Sequence, residues 1–285
     1  MSYTTLISAQ QLQEHLADPA CKIFDLRHDL MDHGAGLRAY EAGHIPGARF
    51  AAIETELSGT KTGRNGRHPL PERDDLVERF RAWGIDDSTQ IVAYDAQGGQ
   101  YAVRLWWLAR WLGHPAVAVL DGGWPAWLTA GGATDLSRPA AVPRGSFTAA
   151  PSLVHVATAT EVLQSLGGTE HLVVDARLPE RYRGEQEPID PVAGHIPGAL
   201  NRPWTTNLTP DQHFKSPGEL RREFDGLIGA RDPATVTYHC GSGVTACHHV
   251  LAMELAGLAT PKLYAGSWSE WIADPSRAVR TGAAP

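Results

Sequence analysis

The sequence predicts an α/β chain of two tandem domains, each a mostly parallel sheet with helices on both faces. Three observations carry that expectation. The chain repeats itself: GHIPGA stands at 43–48 and again at 194–199, FDLR at 24–27 matches VDAR at 174–177, and IVAYDAQGGQYA at 91–102 lies over TVTYHCGSGVTA at 235–246. The blocks keep their order at offsets of 151, 150 and 144 residues, and the last offset also pairs Gly113 with Gly257, Trp124 with Trp268 and Trp127 with Trp271. Within each copy, short apolar runs alternate with helical patterns, as in βαβ units. Finally, 285 residues, 42% of them hydrophobic, suffice for two domains with a core in each.

In the first copy, residues 21–26 are an apolar run read as a buried strand, 72–83 (ERDDLVERFRAW) a helix, 91–94 a strand, 100–112 (QYAVRLWWLARWL) a helix and 117–120 a third strand. The second copy yields strands at 171–176, 235–238 and 262–264, and helices at 217–228 and 244–257. Unbroken apolar runs suit parallel strands covered on both faces. The domains are expected at 1–132 and 159–285. Between them, 133–158 carries Pro139, Pro143 and Pro151 among small residues and reads as a stiffened, exposed linker. Trp106, Trp107, Trp111, Trp124 and Trp127 fall at helical spacing or in the repeated G-x-W-x-x-W segment, so packing is their expected role.

The net charge of −7 argues against nucleic acid or an anionic membrane surface as the main partner. No apolar run approaches the roughly 20 residues of a membrane span. The N-terminal MSYTTLISAQQLQEHL lacks the charged and apolar regions of a secretory signal, so the expected location is cytoplasmic. Three cysteines, Cys21, Cys240 and Cys247, are too few and too unevenly spaced for a disulfide framework or a zinc site. The expectation is a reducing compartment, no metal and no organic cofactor.

Cys240 is the exception to a structural reading of these cysteines. It stands between an expected strand and an expected helix, in HCGSGVTAC at 239–247. In parallel sheets ligands bind beyond the carboxyl ends of strands. A glycine-rich turn there gathers backbone N–H groups around an anion, and the following helix adds the positive end of its dipole. A cysteine at that place has its thiolate favoured. Gly241 and Gly243 allow positive φ and close approach, and Thr245 is a candidate helix cap. The matching residue of the first copy is Ala96, so the scaffold itself does not require a cysteine. A phosphatase loop of the Cys-x5-Arg type is a poor second reading, because Ala246 occupies the arginine position and no arginine occurs in 240–257.

The repeated GHIPGA, the strand-end D-x-R and CGSGVTA before a helix resemble the tandem-domain rhodanese family of sulfurtransferases, over about residues 5–280. The resemblance implies two rhodanese-like domains, the first catalytically silent and the second carrying a persulfide on Cys240. Gly241, Ser242, Gly243, Val244 and Thr245 would cradle the transferred sulfur. The C-G-[ST]-G-V-T loop is similar to the 3-mercaptopyruvate branch. The thiosulfate branch has C-R-K-G-V-T, and here Gly241 and Ser242 replace that basic pair. Thiosulfate is a dianion served by loop cations, whereas mercaptopyruvate needs a cation only for its distant carboxylate. The implied reaction passes sulfur from 3-mercaptopyruvate to cyanide or to a thiol, such as thioredoxin or a small thiol. Thiosulfate as donor is the alternative. A non-enzymatic persulfide carrier, marked by an exposed apolar patch at the Cys240 mouth, is the more distant one.

The resemblance also implies roles for individual residues. Arg181, in RLPERYRG at 177–184, matches the first of the family's two substrate arginines. The second would fall at 190 or 189, where this chain has Asp190 and Ile189, so it departs from the pattern. Arg183 is the remaining candidate in that segment. His68 in RHPLP and Glu54 in FAAIE match a histidine and an acid that complete a catalytic set with the cysteine in some mercaptopyruvate enzymes. His44 and His195 occur in both copies and are read as structural. His239 should point away from the pocket by strand alternation, Cys247 should be packed, and Arg177 should pair with Asp175.

Overall fold

Each copy of the repeat folds into one five-stranded sheet in which every paired neighbour runs parallel. The structure, a computed structural model, describes residues 2–285. In the first unit the strands are β1 (Leu6–Ile7), β2 (Cys21–Asp25), β3 (Arg49–Phe50), β4 (Gln90–Tyr94) and β5 (Val117–Leu120), in the order β1-β5-β4-β2-β3. Its helices are α1 (Ala9–His15), α2 (Ala35–Ala42), α3 (Arg73–Ala82), α4 (Ala102–Trp111) and α5 (Gly123–Thr129). The second unit has β6 (His155–Ala157), β7 (Leu172–Asp175), β8 (Leu200–Asn201), β9 (Val236–His239) and β10 (Lys262–Tyr264), in the order β6-β10-β9-β7-β8. Its helices are α6 (Ala159–Ser165), α7 (Pro179–Tyr182), α8 (Pro217–Ile228), α9 (Cys247–Leu255) and α10 (Ser267–Trp271). Adding five to each strand number of the first order gives the second.

Local chemistry starts the helices. Ser8 with Gln11 and Thr158 with Glu161 form matching capping boxes before α1 and α6. Ser216 with Glu219 does the same for α8, with Pro217 in its first turn. The central strands are buried along nearly their whole length, which is why their sequences are apolar without alternation. Trp127 sits in the first core with Leu12, Val92 and Ala118. Trp268 and Trp271 sit in the second with Val162, Val173 and Tyr264.

The D-x-R motif explains why the three sequence blocks repeat together. Arg27 Nη2 donates to Asp25 Oδ2 and to the Gly43 carbonyl, both at 2.6 Å, and its guanidinium lies over Trp124 at 4.7 Å. Arg177 Nη2 donates to Asp175 Oδ2 at 2.7 Å and to the Gly194 carbonyl at 2.6 Å, again with a tryptophan, Trp268, at 4.7 Å. One guanidinium therefore ties a strand end to the GHIPGA turn and the tryptophan segment. Burial alone would raise the Asp175 pKa, but Arg177 and then His239 outweigh it and bring it down to about 2. His44 stacks on Tyr40, with ring nitrogens 2.9 and 3.1 Å from the carbonyls of Tyr40 and Ser137. His195 stacks on Tyr182 with the equivalent contacts to Tyr182 and Ala284. Both histidines are scaffold.

Several sequence expectations are corrected. The strand expected at 235–238 is Val236–His239, because Thr235 is drawn into a 3-10 turn capped by Asp232. The helix expected from 244 begins at Cys247. Ala246 occupies its N-cap with no side-chain bond, so Thr245 does not cap it. The segment 133–158, read as an exposed, stiffened linker, is mostly exposed but is anchored within its length and ends in a strand. Phe147 is buried, the amides of Gly145 and Phe147 donate to the carbonyls of Arg81 and Ile85, and β6 already begins at His155. The first compact unit takes residues up to Gly59, Pro71–Leu153 and Pro210–Phe214, and the second takes Thr60–Leu70, Val154–Thr209 and Lys215–Pro285. Among the described residues, no helix is long and apolar enough to cross a membrane.

Removing one member of a buried pair strands the other's charge. Arg27→Met should therefore cost about 3–5 kcal/mol, read as a lowered urea midpoint, and Arg27→Lys should recover only part because it loses the fork.

Candidate functional site

Cys240 directly follows β9, which lies between β10 and β7 in its sheet. Its side chain is thus delivered to the carboxyl end of the sheet, flanked by the segments that leave both neighbouring strands. The residue is only 1% exposed. The Gly243 amide donates to Cys240 Sγ at 3.2 Å. Gly243 has φ +78°, and a Cβ there would overlap the Ala265 carbonyl oxygen, so the loop needs glycine on both counts. Gly241 does not use the positive φ that the sequence allowed it, and what stands against its side-chain position is the tip of an arginine: a Cβ there would stand 2.9 Å from Arg67 Nη2.

The first unit shows what this loop shape does. There the buried Asp95 carboxylate accepts from the amides of Gln97, Gly99, Tyr101 and Ala102 at 2.7–3.0 Å. Burial raises the Asp95 pKa against the pull of those four amides. The matching positions in the second unit are 241, 243, 245 and 246. Of these, the Gly243 amide meets the Cys240 sulfur, while the amides of Thr245 and Ala246 have no acceptor among the described residues. The loop is therefore a nest of donors: filled by an internal carboxylate in one copy, aimed at a cysteine sulfur in the other.

Ser267 supports Cys240 from below. Its Oγ accepts the Cys240 amide at 3.1 Å and donates to the Tyr264 carbonyl at 2.9 Å. It does so at φ +55°, where its counterpart in the first unit is Gly123, also at +55°. Holding a side chain in that region costs roughly 1–2 kcal/mol. The comparison of the two copies, glycine in one and serine in the other, was a readable signal that sequence reasoning passed over.

At the outer side of the loop two guanidiniums meet at Gly241. Relative to a Cβ at that residue, Arg181 Nη1 and Nη2 lie at 3.4 and 3.6 Å, beside Arg67 Nη2 at 2.9 Å. Asp190 joins them: it pairs with Arg67 through Oδ1 and with Arg181 through Oδ2, the latter at 3.1 Å. Glu187 binds Arg181 at 2.6 Å and Arg177 at 3.3 Å. Arg183 does not take part. It is committed to Glu185 at 2.7 and 2.8 Å and is about one-third exposed. The cation beside Arg181 thus comes from residue 67, in the 60–70 segment. Nothing in the spacing around Arg181 pointed there.

His68 is buried, and its Nδ1 lies 2.7 Å from Ser242 Oγ. The structure therefore brings Cys240, Gly241, Ser242, Gly243, His68 and Arg181 together, with Val244 buried in the same loop. His239 Nε2 faces Asp175 Oδ2 at 3.8 Å and its Nδ1 lies 3.2 Å from the Cys240 carbonyl oxygen, and burial lowers its pKa despite the acid. Cys247 is packed, its Sγ 3.4 Å from the Gly243 carbonyl. Glu54 lies in the first unit, where its carboxylate meets His33 Nδ1 at 3.4 Å.

A cysteine sulfur in a strand-end nest of amides, built on a duplicated parallel-sheet domain, is an arrangement with known relatives. The rhodanese-like domain model matches twice, at residues 8–130 and 158–274, and the chain belongs to the rhodanese family. It is 45% identical over 284 residues to a probable 3-mercaptopyruvate sulfurtransferase of Pseudomonas aeruginosa, covering 99% of this chain and 100% of that one. It is 38% identical to a putative thiosulfate sulfurtransferase of Mycobacterium tuberculosis, with 98% of each covered. Among solved structures, the 3-mercaptopyruvate sulfurtransferase from Leishmania major superposes with a TM-score of 0.82 at 29% identity, covering 94% of this chain and 74% of that one.

The strain at residue 267 is testable. Ser267→Gly should be about 1–2 kcal/mol more stable than Ser267→Ala in urea unfolding, because only glycine is relaxed at φ +55°. Both should lose sulfur-transfer rate, since the Cys240 amide loses its acceptor.

Proposed function

We propose that the chain is a sulfurtransferase that takes sulfur from 3-mercaptopyruvate through a persulfide on Cys240. The observation that carries this reading is the Cys240 sulfur in an amide nest with Arg181 at the mouth beside Gly241. The Cys240 sulfur, which accepts the Gly243 amide, is the nucleophile. It attacks the sulfur of the donor: the S–S bond forms, the C–S bond breaks, and the electron pair leaves as pyruvate enolate. The enolate takes up a proton to give pyruvate. His68 and Ser242, in hydrogen-bond contact, supply the route for that proton. Glu54 is carried as the acid of this relay on the family resemblance alone. An acceptor thiolate, small or on thioredoxin, or cyanide, then attacks the outer sulfur and releases the Cys240 thiolate. The loop amides of residues 241–245 hold the outer sulfur between the two steps.

Two features favour this donor over thiosulfate. The loop residues 241 and 242 are uncharged. The charged groups linked at the mouth, Arg67, Arg177 and Arg181 with Asp175, Glu187 and Asp190, sum to zero. A neutral cluster accepts one added negative charge more readily than two.

Steady-state transfer to cyanide should show a higher kcat/KM for 3-mercaptopyruvate than for thiosulfate, and Cys240→Ser should abolish both. The reverse donor order would overturn the assignment of substrate. His68→Ala should lower kcat about 10²–10⁴-fold on mercaptopyruvate. A smaller fall, matched by Glu54→Gln, would remove the relay from the mechanism. Incubated with donor alone, the native chain should gain the mass of one sulfur atom, and Cys240→Ser should not.

A further inference from the structure

We propose that the first unit carries a divalent metal site, of the kind that takes zinc, made by His28, His33 and Glu54. One donor atom from each of the three lies within 4.8 Å of the other two. His33 Nδ1 and Glu54 Oε1 are 3.4 Å apart. That is long for a hydrogen bond, but two donors on a tetrahedral ion with bonds of about 2.1 Å stand about 3.4 Å from each other. Two imidazoles and one carboxylate are a donor set that zinc accepts, with the fourth place left to water. The expectation of no metal came from the cysteines, and this set contains none. The proposal stands apart from the sulfurtransferase reading and uses no residue of the Cys240 loop.

The three residues meet where a parallel sheet receives ligands. His28 follows the carboxyl end of β2, and Glu54 comes after the neighbouring β3. His28 is buried, and its ring packs edge-on to Tyr101 at 5.0 Å. Its carbonyl accepts from Gln97 Nε2 at 3.3 Å, and Gln97 Oε1 is buried with no hydrogen-bond partner among the described residues. A buried acceptor of that kind calls for an ordered water or ion beside it. His33 returns toward His28 on a turn in which Asp29 Oδ1 accepts the amides of Met31 and Asp32 at 2.7 and 3.1 Å, and the two rings stand 5.5 Å apart. The His33 side chain is 63% exposed and free to swing onto an ion, while buried His28 supplies the fixed end. The second copy does without the set. Leu178 and Thr205 stand at the positions of His28 and Glu54, at offsets of 150 and 151. The stretch from the strand-end arginine to the stacked tyrosine runs 27–40 in the first copy and only 177–182 in the second, so His33 has no counterpart. A donor set that one copy has and the other lacks is not a requirement of the scaffold.

A metal on Glu54 competes with the relay role that the family resemblance gives that acid, so the test reads binding directly rather than through activity. Calorimetry of zinc chloride into the full, untagged chain should show one saturable equivalent in a Cys240→Ser background, which removes the reactive thiol as a ligand. In that background His33→Ala and Glu54→Gln should each weaken zinc at least about 10- to 100-fold, the loss that even an outer partner of a ligand produces. His33 is exposed, so its variant keeps the test open if a change at buried His28 does not fold. His171→Ala, at an exposed histidine of the second unit, should leave zinc binding unchanged. Cobalt(II) in place of zinc should give the visible d–d bands of a four-coordinate nitrogen and oxygen site, with no thiolate charge-transfer band. The site is overturned by the lack of a saturable equivalent, by zinc affinity unmoved in His33→Ala and Glu54→Gln, or by a thiolate band on cobalt.

Discussion

The buried Arg177–Asp175 pair is the interaction on which the site depends. It stands at the carboxyl end of β7, neighbour to the strand that delivers Cys240. The same guanidinium reaches the Gly194 carbonyl and Glu187. From Glu187 the contacts run to Arg181, from Arg181 to Asp190, and from Asp190 to Arg67. An ion ladder thus begins in the scaffold and ends at the mouth of the catalytic loop. Each rung is buried or half-buried, so the geometry at Gly241 inherits the rigidity of the sheet rather than the freedom of two long side chains. The first unit has the first rung, Arg27 with Asp25, and uses it to hold its turn and its tryptophan segment.

Much of this was legible in the sequence because one side-chain network recurs in both copies. The repeated GHIPGA, D-x-R and tryptophan segments each serve the same contact network, so they had to recur in order. Cys240 was legible because the copies differ there. Thr245 was misread as a cap because the strand-end loop makes an extra turn before α9 begins, and no single-residue preference reports that. The partner of Arg181 was illegible for a plainer reason. Arg67 and Asp190 are 123 positions apart, and only the fold of the 60–70 segment onto the second unit joins them.

Ser267 and Gly243 show two ways of serving one sulfur. Gly243 gives up a side chain so that the loop can pass the Ala265 carbonyl, and its amide meets Sγ. Ser267 keeps a side chain where glycine would relax, because its hydroxyl is wanted under the Cys240 amide. Strain concentrated beside the reactive atom is common where geometry matters more than stability.

The internal carboxylate of Asp95 has a consequence for how the two copies diverged. Four amides that would otherwise greet a bound anion are already occupied, from within the chain. A cysteine placed at Ala96 alone would meet a nest with no room for its charge, and removing Asp95 alone would leave buried donors unpaired. Each single change toward the second copy's sequence is therefore unfavourable, and only the pair together is coherent. The two copies thus differ by a coupled pair of positions, Asp95 with Ala96 in one and His239 with Cys240 in the other, rather than by the cysteine alone.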